Sequence, residues 1–351
     1  WKDDSMKAMQ LTGVRQMELF EVPDPEIGND DDVLIKVLSV GVCGSDIHYY
    51  VSGKIGSQVV DYPFAVGHEG GGRVIEVGKG VTRVKPGDRI AIEPAMPCWV
   101  CDQCKTGRHH TCRNLRFLGC PKQAEGCLSE YVVMPETSCF GISDAMSMVE
   151  AALSEPLAIG LYAVKKSIPM QSAKIGVLGA GPIGFSVFLP ATSMGADKVY
   201  VTDKIDARLE LAKTAGATWT GNPNNNDVVN EILEIEPRGL DVVFDCCGDQ
   251  EALDQAIEIL KPGGKLMIIG IPPFDRFSFP VDDMRHKEIC IQNVRRQCDC
   301  VQAALDMIEN KDFDINVMVT HHFGFDRTKT AFDLVSDYAD GVLKAMIDFD
   351  D

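Results

Sequence analysis

The sequence predicts an α/β protein in two parts, a barrel-like all-β part followed by a doubly wound parallel sheet wrapped in helices. Three observations predict it. At 351 residues the chain exceeds the roughly 250–300 residues at which a single hydrophobic core stops growing. Its early text alternates short β-rich runs with Gly, Pro and Asp turns. Its later text alternates strands with amphipathic helices, the pattern of a parallel sheet.

From Val33 to about Ile92 the runs "DVLIKVLSVGV", "GGRVIEVG" and "DRIAIEP" read as strands, with little helix expected between them. Around Ala151 to Lys166 apolar residues recur at helical spacing, and "KIGVLGAGPIG" then opens a strand, a glycine turn and a helix. Onward to about Cys290 come "KVYVTD", "ARLELAKTAG", "GLDVVFDCCG", "EALDQAIEIL" and "GKLMIIG", strands and helices in turn. The polar stretch "GNPNNNDVVN" reads as a loop. "CVQAALDMIEN" and "FDRTKTAFDLVSD" read as surface helices, and "VLKAMIDFD" as a strand returning to pair elsewhere. Domains are therefore expected at 6–155 and 156–292, with 293–351 returning to the first.

With 45% hydrophobic and 25% charged residues the composition is that of an ordinary globular protein, and no apolar run reaches the roughly 18 residues of a membrane span. A formal net charge of −18 repels nucleic acid phosphates and anionic lipid, so a small neutral substrate fits better than either. No basic segment leads into an apolar one, so a cytoplasmic, reducing location is expected. Trp1 to Ser5 read poorly as a natural start and Met6 reads well, so the first five residues are set aside.

Thirteen cysteines in a reducing compartment point to metal or catalysis before disulfides. Cys98, Cys101 and Cys104 are each separated by two residues and Cys112 follows after seven more, so one loop can wrap four thiolates around a zinc ion. With every ligand position filled by protein, that zinc is structural. Unpaired buried thiols or an iron–sulfur cluster are the other readings of the same spacing. A second group is dispersed. "GVCGSDIHYY" brings Cys43, Ser45 and His48 together, "VGHEGGG" supplies His68 and Glu69, and "SEPLAIG" supplies Glu155. One Cys, one His and a carboxylate, with one position open, is the ligand count of a catalytic zinc. Taken alone, His68 reads as a core histidine and Glu155 as an acid at a helix N-terminus.

"VLGAGPIG" carries Gly179, Gly181 and Gly184, with Pro182 and Ile183 between them, after a strand and before a helix. In that context the glycines place a pyrophosphate at the helix N-terminus. Asp203 follows about 20 residues on, where a carboxylate holds ribose hydroxyls, which favours NAD over NADP. Lys204 and Arg208 beside it pull the other way, toward a 2′-phosphate.

These motifs together resemble the zinc-dependent medium-chain alcohol dehydrogenases, and within them the sorbitol, iditol and xylitol dehydrogenase branch. The resemblance covers nearly the whole chain. It implies a GroES-like barrel with a structural-zinc lobe at about 94–116, a Rossmann cofactor domain, two zinc ions per chain, NAD, and a homotetramer. It implies catalytic-zinc positions at Cys43, His68 and Glu69, with Glu155 holding the metal directly or through water. Ser45 and His48 match the proton relay of that family, completed by the cofactor ribose. "SEPL", with Glu155 where other alcohol dehydrogenases carry cysteine, suggests the polyol branch. Tyr50 and Phe117 match cleft positions, and "NVRRQ" puts Arg295 or Arg296 toward the substrate. Two departures stand out: animal polyol enzymes follow that arginine with tyrosine and lack the four-cysteine lobe.

The function expected is oxidation of a secondary hydroxyl of a polyol to a ketose, with hydride transfer to NAD. Two alternatives remain: another secondary alcohol (2,3-butanediol, threonine or a sugar) on the same fold, and a catalytically inert, crystallin-like protein.

Overall fold

The structure, a computed structural model, describes residues 5–350; Trp1 to Asp4 and Asp351 lie outside them. β1 (Ser5–Gly13) and β2 (Gln16–Pro23) form an antiparallel hairpin. β3 (Asp32–Gly41) leads into α1 (Gly44–Ser52), then the short strands β4 (Lys54–Ile55), β5 (Gln58–Val59) and β6 (Phe64–Ala65). β7 (Glu69–Val77), β8 (Arg89–Ile92) and β9 (Ala95–Met96) follow. The cysteine loop, with its short helix α2 (Asp102–Lys105), returns through β10 (Arg116–Phe117), which pairs with β9. After β11 (Tyr131–Pro135) and β12 (Cys139–Gly141) comes the long helix α3 (Met148–Lys166).

Strands and helices then alternate: β13 (Lys174–Leu178), α4 (Pro182–Ser193), β14 (Lys198–Thr202), α5 (Asp206–Thr214), β15 (Trp219–Gly221) and α6 (Val228–Ile235). The alternation continues through β16 (Leu240–Asp245), α7 (Gln250–Ile259), β17 (Leu260–Ile268), α8 (Val281–Lys287) and β18 (Cys290–Asn293). Last come α9 (Val301–Glu309), β19 (Val319–Gly324), α10 (Thr328–Ser336) and β20 (Lys344–Asp348).

The chain divides into two compact units, separated inside α3 between Glu155 and Pro156 and again between Cys300 and Val301, with Asp312–Met318 counted in the second. The return crossing falls later than 292/293 because β18 pairs in parallel with β17 and keeps the following segment with the sheet. In the first unit the main sheet runs β12-β8-β7-β3-β20-β19. One edge of β3 is shared, β11 pairing its first half and β20 its last residues. Side chains of β3 alternate between buried and half-buried over its first half and are all buried over its second, so the strand passes into the core. Leu11, Ile35, Val37, Ile90 and Phe332 are fully buried there, each apolar side chain contributing about 1.5–3 kcal/mol relative to exposure.

The second unit holds the parallel sheet β15-β14-β13-β16-β17-β18, covered by helices, around Leu178, Tyr200, Val243, Leu253 and Leu266. That strand order reverses direction at β13 and β16, where doubly wound sheets bind ligands. No helix among the described residues is long and apolar enough to cross a membrane.

Two local expectations change. "CGSDIHYYVS", within the β-rich stretch where little helix is expected, contains the helix α1, because Asp46 takes the Cys43 N–H and so caps its first turn. The polar loop after β15 is shorter than read, because Asp227 caps α6 by accepting the Asn230 N–H at 3.2 Å.

Candidate active site

Antiparallel pairing of β3 with β7 sets Gly41 opposite Glu69. The residues just past the end of β3 and just before the start of β7 therefore meet at one end of the sheet. Ligand atoms of Cys43, His68 and Glu69 lie within 4.8 Å of one another. Asp46, fully buried one residue beyond Ser45, ties this corner together. It accepts the Cys43 N–H at 3.4 Å and the Gly67 N–H at 3.3 Å, and its Oδ1 lies 3.2 Å from His68 Nδ1. With Nδ1 turned to Asp46, Nε2 is the nitrogen left for a metal. Burial pulls the His68 pKa down, but electrostatic and hydrogen-bonding interactions with Asp46 and Cys43 outweigh it and lift it well above the usual imidazole range. A metal entering this group displaces that proton.

Glu155 stands outside the 4.8 Å group. Its carboxyl is pushed up to about 8, mainly by burial and further by the Glu69 and Glu93 charges, against the pull of His68 and Lys344. Glu155 Oε2 is buried with no hydrogen-bond partner, and His68 Nδ1, close to Asp46, makes no directed hydrogen bond either. A thiol, an imidazole and a carboxylate around one point, with the orphaned Glu155 oxygen beside them, fit a zinc ion that keeps an open position.

Ser45 donates its hydroxyl to Cys43 Sγ at 3.3 Å. His48, one turn on along α1 and half-buried, has its pKa lowered by burial, so the ring stays neutral. The ring centroids of Phe117 and His68 are 5.4 Å apart, and β10 carries Phe117 there. Tyr50 is a correction: fully buried, it donates to Asp333 at 2.6 Å and packs edge-on against Phe332, so it is a core residue and does not line a cleft.

The four-cysteine group closes as its spacing implies. Sγ atoms of Cys98, Cys101, Cys104 and Cys112 lie within 4.8 Å of one another. Cys101 is 3.6 Å from Cys104 and 3.9 Å from Cys112. Four thiolates tetrahedrally placed at the usual zinc–sulfur distance stand about 3.8 Å apart, and a disulfide about 2 Å. The sulfur spacing fits a metal and excludes cross-links. Backbone N–H groups of Cys98 and Asn114 donate to Cys112 Sγ at 3.2 and 3.4 Å.

In the second unit Gly179 has φ 101° and a Cβ at Gly184 would stand 1.9 Å from the Gly179 carbonyl oxygen, so neither position admits another residue. Gly181 caps α4 without a side-chain bond and Pro182 opens the helix, leaving its N-terminal N–H groups for an anion such as pyrophosphate. Ile183 lies in that first turn. The Asp203 carboxylate braces the turn, accepting the Ala180 N–H at 2.7 Å and the Ile205 N–H at 2.8 Å. Lys204 is paired with Asp249 at 2.9 Å, whereas Arg208 is buried beside Gly181 and Asp203. Arg295 is exposed and Arg296 half-buried with a left-handed backbone, both in the segment after β18.

Comparison with known proteins agrees with both units. Residues 29–144 match the family model of the alcohol dehydrogenase GroES-like domain, and residues 182–310 that of the zinc-binding dehydrogenase. Sorbitol dehydrogenase of Bacillus subtilis is 35% identical over 344 residues, covering 98% of this chain and 97% of that protein. Among solved structures, a Sinorhizobium meliloti zinc-binding dehydrogenase bound to NADP superposes with TM-score 0.89 at 31% identity, covering 98% of this chain and 99% of that one. The 2R,3R-butanediol dehydrogenase of Bacillus subtilis superposes with TM-score 0.88 at 30% identity, with 98% and 99% covered. The chain belongs to the zinc-dependent medium-chain alcohol dehydrogenases, in the polyol dehydrogenase branch, and is an NAD(P)-dependent enzyme.

Proposed function

We propose that the protein oxidises a secondary hydroxyl of a polyol of the sorbitol, iditol or xylitol type to the ketose, in the cytoplasm, with NAD as acceptor and two zinc ions per chain. The observation that carries this reading is the Cys43, His68 and Glu69 group with the orphaned Glu155 oxygen beside it. Zinc bound there supplies Lewis acidity that makes an alcohol proton labile near neutral pH, and NAD accepts the hydride. Cys43, His68 and Glu69 hold the metal, and Glu155 borders its open side. Ser45 Oγ, 3.3 Å from Cys43 Sγ, takes the alcohol proton as its own hydroxyl proton moves on toward His48. The neutral His48 ring passes it to solvent. Phe117 packs on His68 and keeps water from that face. Arg295 or Arg296 binds substrate hydroxyls. NAD is preferred because a 2′-phosphate meets the half-buried Asp203 carboxylate while Lys204 is held by Asp249. A homotetramer is the expected assembly.

A second reading keeps the machinery and changes the substrate to a vicinal diol, in line with the likeness to 2R,3R-butanediol dehydrogenase. NAD and NADP reduction followed across sorbitol, xylitol, iditol, arabinitol, galactitol, butanediol, threonine and simple alcohols, before and after chelation, separates the two. Chelator-sensitive turnover of a polyol with NAD is expected. Turnover of butanediol alone selects the second reading, and activity on neither overturns both.

A further inference from the structure

Lysine is almost never fully buried without a partner, yet Lys344, on the returning strand β20, has 1% of its surface exposed. Its ammonium donates to Glu69 Oε2 at 2.5 Å and to the Val42 carbonyl at 3.1 Å. Val42 immediately precedes Cys43, and Glu69 immediately follows His68. One cation thus joins the two chain segments that bring all three ligands of the metal group. The oxygen it binds is also lodged in place: a Cβ at Gly41 would stand 2.1 Å from Glu69 Oε2.

We propose that Lys344 is a positioning residue of the metal centre, holding Glu69 Oε2 so that only Oε1 is offered to the ion. The inference rests on the metal-centre reading above. A carboxylate bound by both oxygens fills an additional position around zinc, whereas one bound through a single oxygen leaves that position for the substrate. An ammonium on the second oxygen enforces the single-oxygen mode. The ion pair costs desolvation, as all buried pairs do, so its retention at this place is explained by the geometry it imposes.

The test is metal binding, read apart from turnover. Wild-type enzyme is expected to take up two equivalents of zinc, and cobalt(II) in the Cys43 group to give a d–d absorption spectrum. Lys344→Met is expected to lose metal from that group to a competing chelator at about 10–100-fold lower concentration and to alter the cobalt spectrum. Its four-cysteine metal and its NAD affinity should stay unchanged. Lys344→Gln, which keeps an N–H donor, should lie between the two. A folded Lys344→Met with the wild-type spectrum and chelator resistance overturns the proposal.

If Lys344→Met does not fold, Glu69→Gln and Glu69→Gln/Lys344→Met are compared, since the double variant leaves no unpaired buried charge. A lysine acting through Glu69 predicts equal metal affinity for these two, and a difference beyond about threefold overturns it. Wild-type enzyme holding a single equivalent overturns the metal-centre reading itself and this inference with it.

Discussion

The two groups of side chains in the first unit whose geometry fits a metal are built by opposite means. The four-cysteine group draws its ligands from one loop, all of one chemical type, and is held by local backbone N–H groups. The Cys43 group draws on two segments that meet only because β3 pairs with β7 in the register Gly41 to Glu69. It is braced by Asp46 in the next helix and by Lys344, whose bond to Val42 spans 302 residues of chain. A closed site is made by spacing and an open site by topology. Closure needs only enough thiolates within reach, whereas an open position survives only if each ligand is held from behind.

Damage to the two groups therefore has different consequences. Cys43→Ser removes a ligand from the open site and is expected to lower turnover by at least about 10³-fold, the several kcal/mol that a Lewis acid contributes. Its Tm and NAD affinity should change little. Cys101→Ser is expected to do the reverse. A structural zinc site contributes folding energy, so thermal unfolding should fall by several degrees or more while kcat per folded, zinc-loaded molecule stays within about twofold. Turnover lost equally in both variants, measured on folded protein, erases the distinction.

The same contrast explains what the sequence reveals. Spacing alone gives the cysteine loop, and the strand, glycine turn and Asp203 together give the cofactor turn, because each is confined to a few tens of residues. Cys43, His68, Glu69 and Glu155 are visible as candidates only through their combined type and through family resemblance. Nothing local marks Asp46 or Lys344 as part of a site. Asp46 sits in a stretch where β-rich text leaves little helix expected, and only the fold turns its carboxylate to His68. Lys344 leaves a signal in hindsight, a lone lysine inside the apolar run "VLKAMI", but its partners lie in segments that no local periodicity connects. Tyr50 misleads for the related reason that an aromatic near a site is as readily core as contact; its partner Asp333 is 283 residues away.

Asp46→Asn sharpens the comparison at intermediate size. The substitution keeps the shape but removes the charge behind His68, and loss of such a partner lowers metal affinity or activity by about 10–100-fold. Chelator competition is expected to show that loss at the Cys43 group and none at the four-cysteine group. Equal weakening of both groups means that Asp46 supports the fold of the unit and not the ligand.

The smallest expected effect lies within the four-cysteine loop of metal-stripped protein. Backbone N–H groups of Arg113 and Cys104 bring the Cys101 thiol down to about 6, whereas burial, together with the neighbouring sulfurs of Cys101 and Cys112, pushes Cys104 up to about 12. At pH 7 Cys101 is then mostly thiolate, the nucleophilic form, and Cys104 is thiol. Iodoacetamide should label Cys101 first, with a rate that levels off above pH about 7, where a thiolate of pKa about 6 is fully formed. Cys104 labelling should still be rising at pH 9. Zinc should abolish both reactions, and its binding near neutral pH should release protons, Cys104 being a main source. Equal labelling of the two cysteines at pH 7, read by peptide mass spectrometry, means that the loop gains its order only from the ion. It would then lack the preformed backbone donors that let a closed site be written in one short stretch of sequence.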